Sequence, residues 1–209
     1  YFESTLVTDF QLYCDQKWFL QLVQVAYFYG NLLGAITNGI LADKFGRRFI
    51  FQIYSPITVA CILMCSLTPN VWLYGIGTFL KGASVAGIYQ SAFAITMECL
   101  GGKWRFWLGM LTSLSFTSGA IYTCMFAWWF RRWRLIEFIN LLPALIMLTY
   151  PFLIPESIRW QYSSGQCAQA MDQIMAAAKK NRNKTTTLNK EMIDVFITQK
   201  SKEKEEKKG

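Results

Sequence analysis

Charge punctuates this chain. Between Lys17 and Asp43 lie 25 uncharged residues, and between Arg48 and Lys81 lie 32, interrupted by the turn Thr68-Pro69-Asn70. From Val71 to Met97 only Lys81 is charged. Arg105 and Arg131 bracket another 25 uncharged residues, and Glu137 and Glu156 another 18. A bilayer core of about 30 Å is crossed by about 20 helical residues. The pattern therefore predicts an all-α membrane protein with five spanning helices, over 18–41, 49–67, 71–97, 106–129 and 135–154. Five buried helices of a water-soluble protein would need a polar shell that this sequence lacks.

Composition sharpens the division. Residues 1–155 carry 10 Lys/Arg and 6 Asp/Glu, whereas residues 156–209 carry 11 and 7 in a third of the length. A loop end (1–17), a helical membrane block (18–155), a cytoplasmic helical segment (156–184) and a polar, disordered tail (185–209) follow from that shift. Lys/Arg placement gives orientation. Lys44, Arg47, Arg48, Lys103, Arg105 and the tail put 16 basic residues on one side, against Lys17, Arg131, Arg132 and Arg134 on the other. The first side is expected to be cytoplasmic, with the N-terminus outside. An odd number of spans starting outside, with no initiating Met or signal peptide, leads to the expectation of a fragment or truncated product that lacks an upstream span.

The turn after the first span reads Gly39-Ile40-Leu41-Ala42-Asp43-Lys44-Phe45-Gly46-Arg47-Arg48. Gly46 permits a tight reversal, and a basic pair there suits the cytoplasmic face. The spacing G-x3-D-K-x-G-R-R between two spans resembles the signature loop between spans two and three of the major facilitator superfamily. Ser4-Thr5-Leu6-Val7-Thr8-Asp9-Phe10 with Cys14, Glu98-Cys99-Leu100 with Arg105, Trp133-Arg134, and Pro155-Glu156-Ser157-Ile158-Arg159-Trp160 fall in order along the chain. Together they resemble the organic cation and organic anion transporters, solute carrier family 22, over residues 1–182. Ile158 stands where that family has a proline, and many facilitators carry an arginine where this chain has Thr78. The resemblance implies a partial major facilitator fold, spans two to six of twelve. Span one and the C-terminal six-helix half would be missing.

It also implies roles. Tyr89 and Phe93 would face the substrate cavity, four residues apart on one helix face, where rings can hold an organic cation by its π-face. The alternative is ordinary packing or lipid contact. Gln90 and Ser113 are further candidates for polar contacts. Lys81 is the one clear intramembrane charge, about ten residues into its span. It either binds an anion or couples transport from the cavity, standing in for the charge absent at Thr78, or it snorkels to an interface. Glu137 either attracts cations at the outer vestibule or pairs with Arg134, three residues earlier. Asp43, Gly46, Arg47, Arg48, Glu98 and Arg105 would form a cytoplasmic gate, the alternative being topology and loop packing. Pro143 is expected to bend the last span, and Cys14 is a candidate for an external disulfide.

Other chemistry is excluded by what the sequence holds. There is no histidine, so histidine catalysis is out. There is no G-x4-G-K-[ST] loop and no metal-ligand cluster. No enzyme activity, cofactor, metal or nucleic-acid partner is expected. The Asn183-Lys184-Thr185 sequon should be unused on the cytoplasmic side. The function expected is alternating-access transport of small organic ions across the plasma membrane. The rival is a truncated, non-transporting membrane protein that associates with full-length relatives.

Overall fold

A computed structural model describes residues 4–13, 16–99, 103–153 and 155–180. Cys14, Leu100, the sequon and the tail from residue 185 lie outside them. Among the described residues the regular structure is all helix, and the one β-bridge is isolated, Ser4 to Arg132. They form α1 (Leu6–Asp9), α2 (Trp18–Phe45), α3 (Arg47–Leu67), α4 (Val71–Cys99), α5 (Lys103–Phe130), α6 (Trp133–Met147), α7 (Tyr150–Leu153), α8 (Ile158–Ser163) and α9 (Cys167–Lys180).

Four stretches are long and apolar enough to cross a membrane: Trp18–Phe45, Arg47–Leu67, Val71–Glu98 and Trp133–Phe152. The helix α5 matches them in length, but the run Thr112-Ser113-Leu114-Ser115 and Thr117-Ser118-Gly119 dilutes its hydropathy. Absence of charge and presence of apolarity are different properties, and beyond Arg105 α5 has only the first in full.

The centre of the fold is the seam between α2 and α4, which run parallel. A Cβ on Gly30 would strike the Phe79 carbonyl, and one on Gly34 would lie 2.5 Å from the Ala83 oxygen and 2.6 Å from its Cα. On the other side, a Cβ on Gly82 would strike the Tyr27 carbonyl. The helices touch backbone to backbone, which only residues without a side chain allow. Farther along the seam, Asn38 is buried and its amide donates to the Ala83 carbonyl at 3.2 Å. The helix α3 packs against both α4 and α6. Phe51, Ile88 and Ile95 form a buried cluster with Tyr54, Ala92 and Met147 around it.

Turn chemistry sets the helix ends. Gly46 separates α2 from α3 at φ 98°, a conformation that disfavours side chains. In α6, Pro143 cannot donate to the Ile139 carbonyl one turn earlier. The Tyr122 hydroxyl of α5 donates to that oxygen instead, at 3.2 Å. The chain breaks at Leu148 and Thr149, a turn that leads into α7, rather than at the proline.

The described residues 157–180 belong to a separate compact unit. Within it, the Ser157 hydroxyl accepts from the Trp160 N–H at the start of α8. Gly165, at φ 85°, turns the chain into α9.

The seam makes a paired prediction. Gly34→Ala forces the α2 and α4 backbones apart and should cost about 1–3 kcal/mol, the usual cost of overpacking. At Gly39 a Cβ meets nothing within 4 Å, so Gly39→Ala should be neutral or stabilising. Thermal unfolding of the detergent-purified chain checks the contrast.

Candidate functional site

Lys81 sits in the third turn of α4, inside an apolar helix. An ammonium there needs a partner or water. The partner is Glu137 of α6: Lys81 Nζ donates to Oε1 at 3.1 Å and Oε2 at 3.2 Å. Both side chains are largely buried, 18% and 16% exposed. The Tyr74 phenol lies beside Glu137. Thr78 is buried and donates to the Tyr74 carbonyl at 2.8 Å, so its hydroxyl is spent on its own helix. Lys81 is thus held by a carboxylate of a neighbouring helix. The expected pairing of Glu137 with Arg134 is not what forms. Arg134 Nε donates to Asp9 at 3.2 Å, leaving Glu137 to the lysine.

Asp9 explains much of the motif before α2. Thr5 caps α1, with Thr5 and Thr8 satisfying each other's backbone N–H groups. That turn aims the Asp9 carboxylate at α6, where it also accepts from Trp133 Nε1 at 2.9 Å. Phe10, Tyr74 and Trp133 then pack ring against ring, with centroids 5.6–6.0 Å apart.

Beyond Lys81 along α4, an apolar cleft of about 360 Å³ opens. It is lined by Phe51 and Thr58 of α3, by Val85, Ile88, Tyr89 and Ala92 of α4, by Met147 of α6 and by Tyr150 of α7. Tyr89 is 53% exposed and stacks on Phe93 one turn on, with ring planes 15° apart. Gln90 is exposed beside them. Ser113 is not brought to this cleft. It lines a shallow groove formed by α5 alone, with Arg105 and Thr117, and donates to the Gly109 carbonyl.

At the opposite end of the helices from Asp9, the turn between α2 and α3 gathers charge. Arg47 reaches Glu98 of α4 at 2.9 Å and Asp43 at 4.0 Å; Asp43 is 81% exposed. Arg48 Nε donates to the Pro151 carbonyl at 2.7 Å. Glu156 completes the cluster: its carboxylate accepts from the backbone N–H groups of Arg47 and Arg48 at 3.0–3.2 Å. A carboxylate on the first N–H groups of a helix satisfies donors that have no intrahelical acceptor and meets the positive end of the helix dipole. Sequence reasoning missed this role for Glu156. The signal was its place in the Pro155-Glu156-Ser157-Ile158-Arg159-Trp160 motif directly after the last span, with its partners more than a hundred residues upstream.

Comparison with known proteins now decides the family. Residues 8–208 match the family described as sugar (and other) transporter. The chain belongs to that family. Among curated relatives it is 31% identical over 191 residues to organic cation transporter 1 of Caenorhabditis elegans, aligning 91% of this chain. It is 35% identical over 181 residues to solute carrier family 22 member 6-A of Xenopus laevis and 32% identical to solute carrier family 22 member 3 of Mus musculus. In each case the chain spans 32% of the relative's length. Its fold matches that of XylE, a proton:xylose symporter of the major facilitator superfamily, with a TM-score of 0.71 and 17% identity over 86% of this chain and 42% of that one. The relatives are transporters, not enzymes. This family member is a multi-pass membrane protein with part of the major facilitator fold.

The cap on α3 yields a stability prediction. Glu156→Ala leaves the Arg47 and Arg48 N–H groups without their acceptor and should cost about 1 kcal/mol, as loss of a helix cap does. Glu156→Asp should recover part of it. Thermal midpoints of the two purified variants provide the comparison.

Proposed function

We propose that the chain contributes to alternating-access transport of small organic ions across the plasma membrane, as part of a major facilitator carrier. The observation that carries this reading is its similarity to an organic cation transporter and to members of solute carrier family 22, together with a charged latch at the α2–α3 turn. Arg47 bonds Glu98, and Glu156 holds the start of α3, so one short turn ties together segments from α2, α3, α4 and the end of the membrane block. Such contacts can exist in one conformation and part in another, which is how a network biases a two-state equilibrium. Asp43, Gly46, Arg47, Arg48, Glu98 and Arg105 are the gating residues in this reading, with Glu156 added to them.

The cleft supplies the binding surface. Tyr89 and Phe93 offer ring faces for the organic body of a substrate, and Gln90 a polar contact. Lys81 would act on substrate charge, while Ser113, in the α5 groove, lies outside this surface. The latch end would face the cytoplasm, as its basic residues favour, with the N-terminus outside. Residues 156–184 would lie on the cytoplasmic side as a helical segment, followed by the polar tail. Span one and a second six-helix half would come from the rest of a full-length carrier. The short span of the alignments, about a third of each relative, also supports a second reading, a non-transporting protein that associates with such carriers.

Uptake of labelled organic cations and anions by cells expressing the chain separates the two. Saturable uptake supports transport, and its absence despite surface expression supports the second reading. Where uptake is seen, Asp43→Ala should lower the maximal rate several-fold while moving the half-saturation concentration little. An effect confined to half-saturation contradicts the latch.

A further inference from the structure

The Lys81–Glu137 pair stands at one end of the cleft. Lys81, Val85, Ile88, Tyr89 and Ala92 follow at helical spacing on one face of α4, and the last four line the cleft. No lining residue is charged. Thr58, its one aliphatic hydroxyl, donates to the Tyr54 carbonyl at 2.8 Å. The ion pair, one turn along α4 from Val85, is thus the fixed charge at that end of the cleft, while Arg48, three residues before Phe51, is committed to the Pro151 carbonyl at the other.

We propose that Glu137 sets the charge selectivity of this cleft by occupying Lys81. The inference rests on the cleft being the substrate surface proposed above. An organic anion whose charged end reaches past Val85 meets Lys81 held by Glu137, and an organic cation there meets Glu137 held by Lys81. The pair balances the two demands.

Geometry makes the exchange feasible. Backbone packing reaches α6 chiefly from α3, and the α4–α6 link is made by side chains, the Lys81–Glu137 pair and Tyr74 against Trp133, so the two charged groups can part without moving a helix. Lys81 makes two hydrogen bonds to Glu137, and an ammonium has three donors. An incoming carboxylate can engage the third before Glu137 lets go, so no bare charge is exposed. Removing one member strands the other as an uncompensated charge in a poorly solvated place. The stranded charge then favours ligands of opposite sign.

The test uses the full chain in phosphatidylcholine nanodiscs and two probes of matched shape, labelled 4-phenylbutyrate and protonated 4-phenylbutylamine. Glu137→Gln should raise the anion-to-cation affinity ratio about tenfold, and Lys81→Gln should lower it about tenfold, each near 1.4 kcal/mol. Opposite signs separate selectivity from damage, because a misfolded variant loses both probes together. If one variant does not fold, the sign of the other decides. Ratios unchanged, or moving in the same direction in both variants, overturn the role of Glu137 while binding by the parent leaves the cleft reading intact. No binding of either probe by the parent overturns both.

Discussion

Everything in the membrane block is referred to the contact between α2 and α4. Where two helices meet at their backbones, neither can rotate without driving a carbonyl into the other. Gly30, Gly34 and Gly82 therefore fix more than a distance. They set which face of α4 is spent on α2 and leave Lys81, Val85 and Tyr89 for the cleft. Contact between backbones in hydrocarbon rests on dispersion and close approach, since lipid offers no hydrophobic gain for helix association. Small residues are the means, and the chemistry displayed on the opposite face is the result.

The link from α4 to α6 is of another kind. It is made by side chains: the ion pair Lys81–Glu137 and the edge-to-face contact of Tyr74 with Trp133. One seam is rigid by exclusion and the other is adjustable by rotamer. A bundle built so can hold its frame while its charged side chains exchange partners.

Much of this was legible in the sequence, for a physical reason: hydrocarbon forbids unpaired charge, so gaps between charged residues mark the helices. The turn around Gly46 was equally plain, because few residues fit it. What stayed hidden was partnership. Lys81 was visible as an anomaly, but its counter-ion lies 56 residues away, and local spacing pointed Glu137 at Arg134 instead. That inference failed because Asp9, held by the Thr5–Thr8 cap, takes the arginine first. Glu156 was hidden in the same way, since its acceptors serve backbone groups that no side-chain pattern records. Ser113 carries the converse lesson. A polar residue in a span looks like a cavity contact, yet its hydroxyl is bound to its own helix and its groove belongs to α5 alone.

The Tyr122 hydroxyl on the Ile139 carbonyl has a consequence for motion. Pro143 leaves that oxygen without a backbone donor, and a bare carbonyl in hydrocarbon costs several kcal/mol. The missing bond of one helix is thus held in trust by its neighbour. Turning α5 about its axis would withdraw the phenol and expose the oxygen, so α5 and α6 gain by travelling together. A proline that weakens one helix becomes, through a single tyrosine, the hinge pin that couples two.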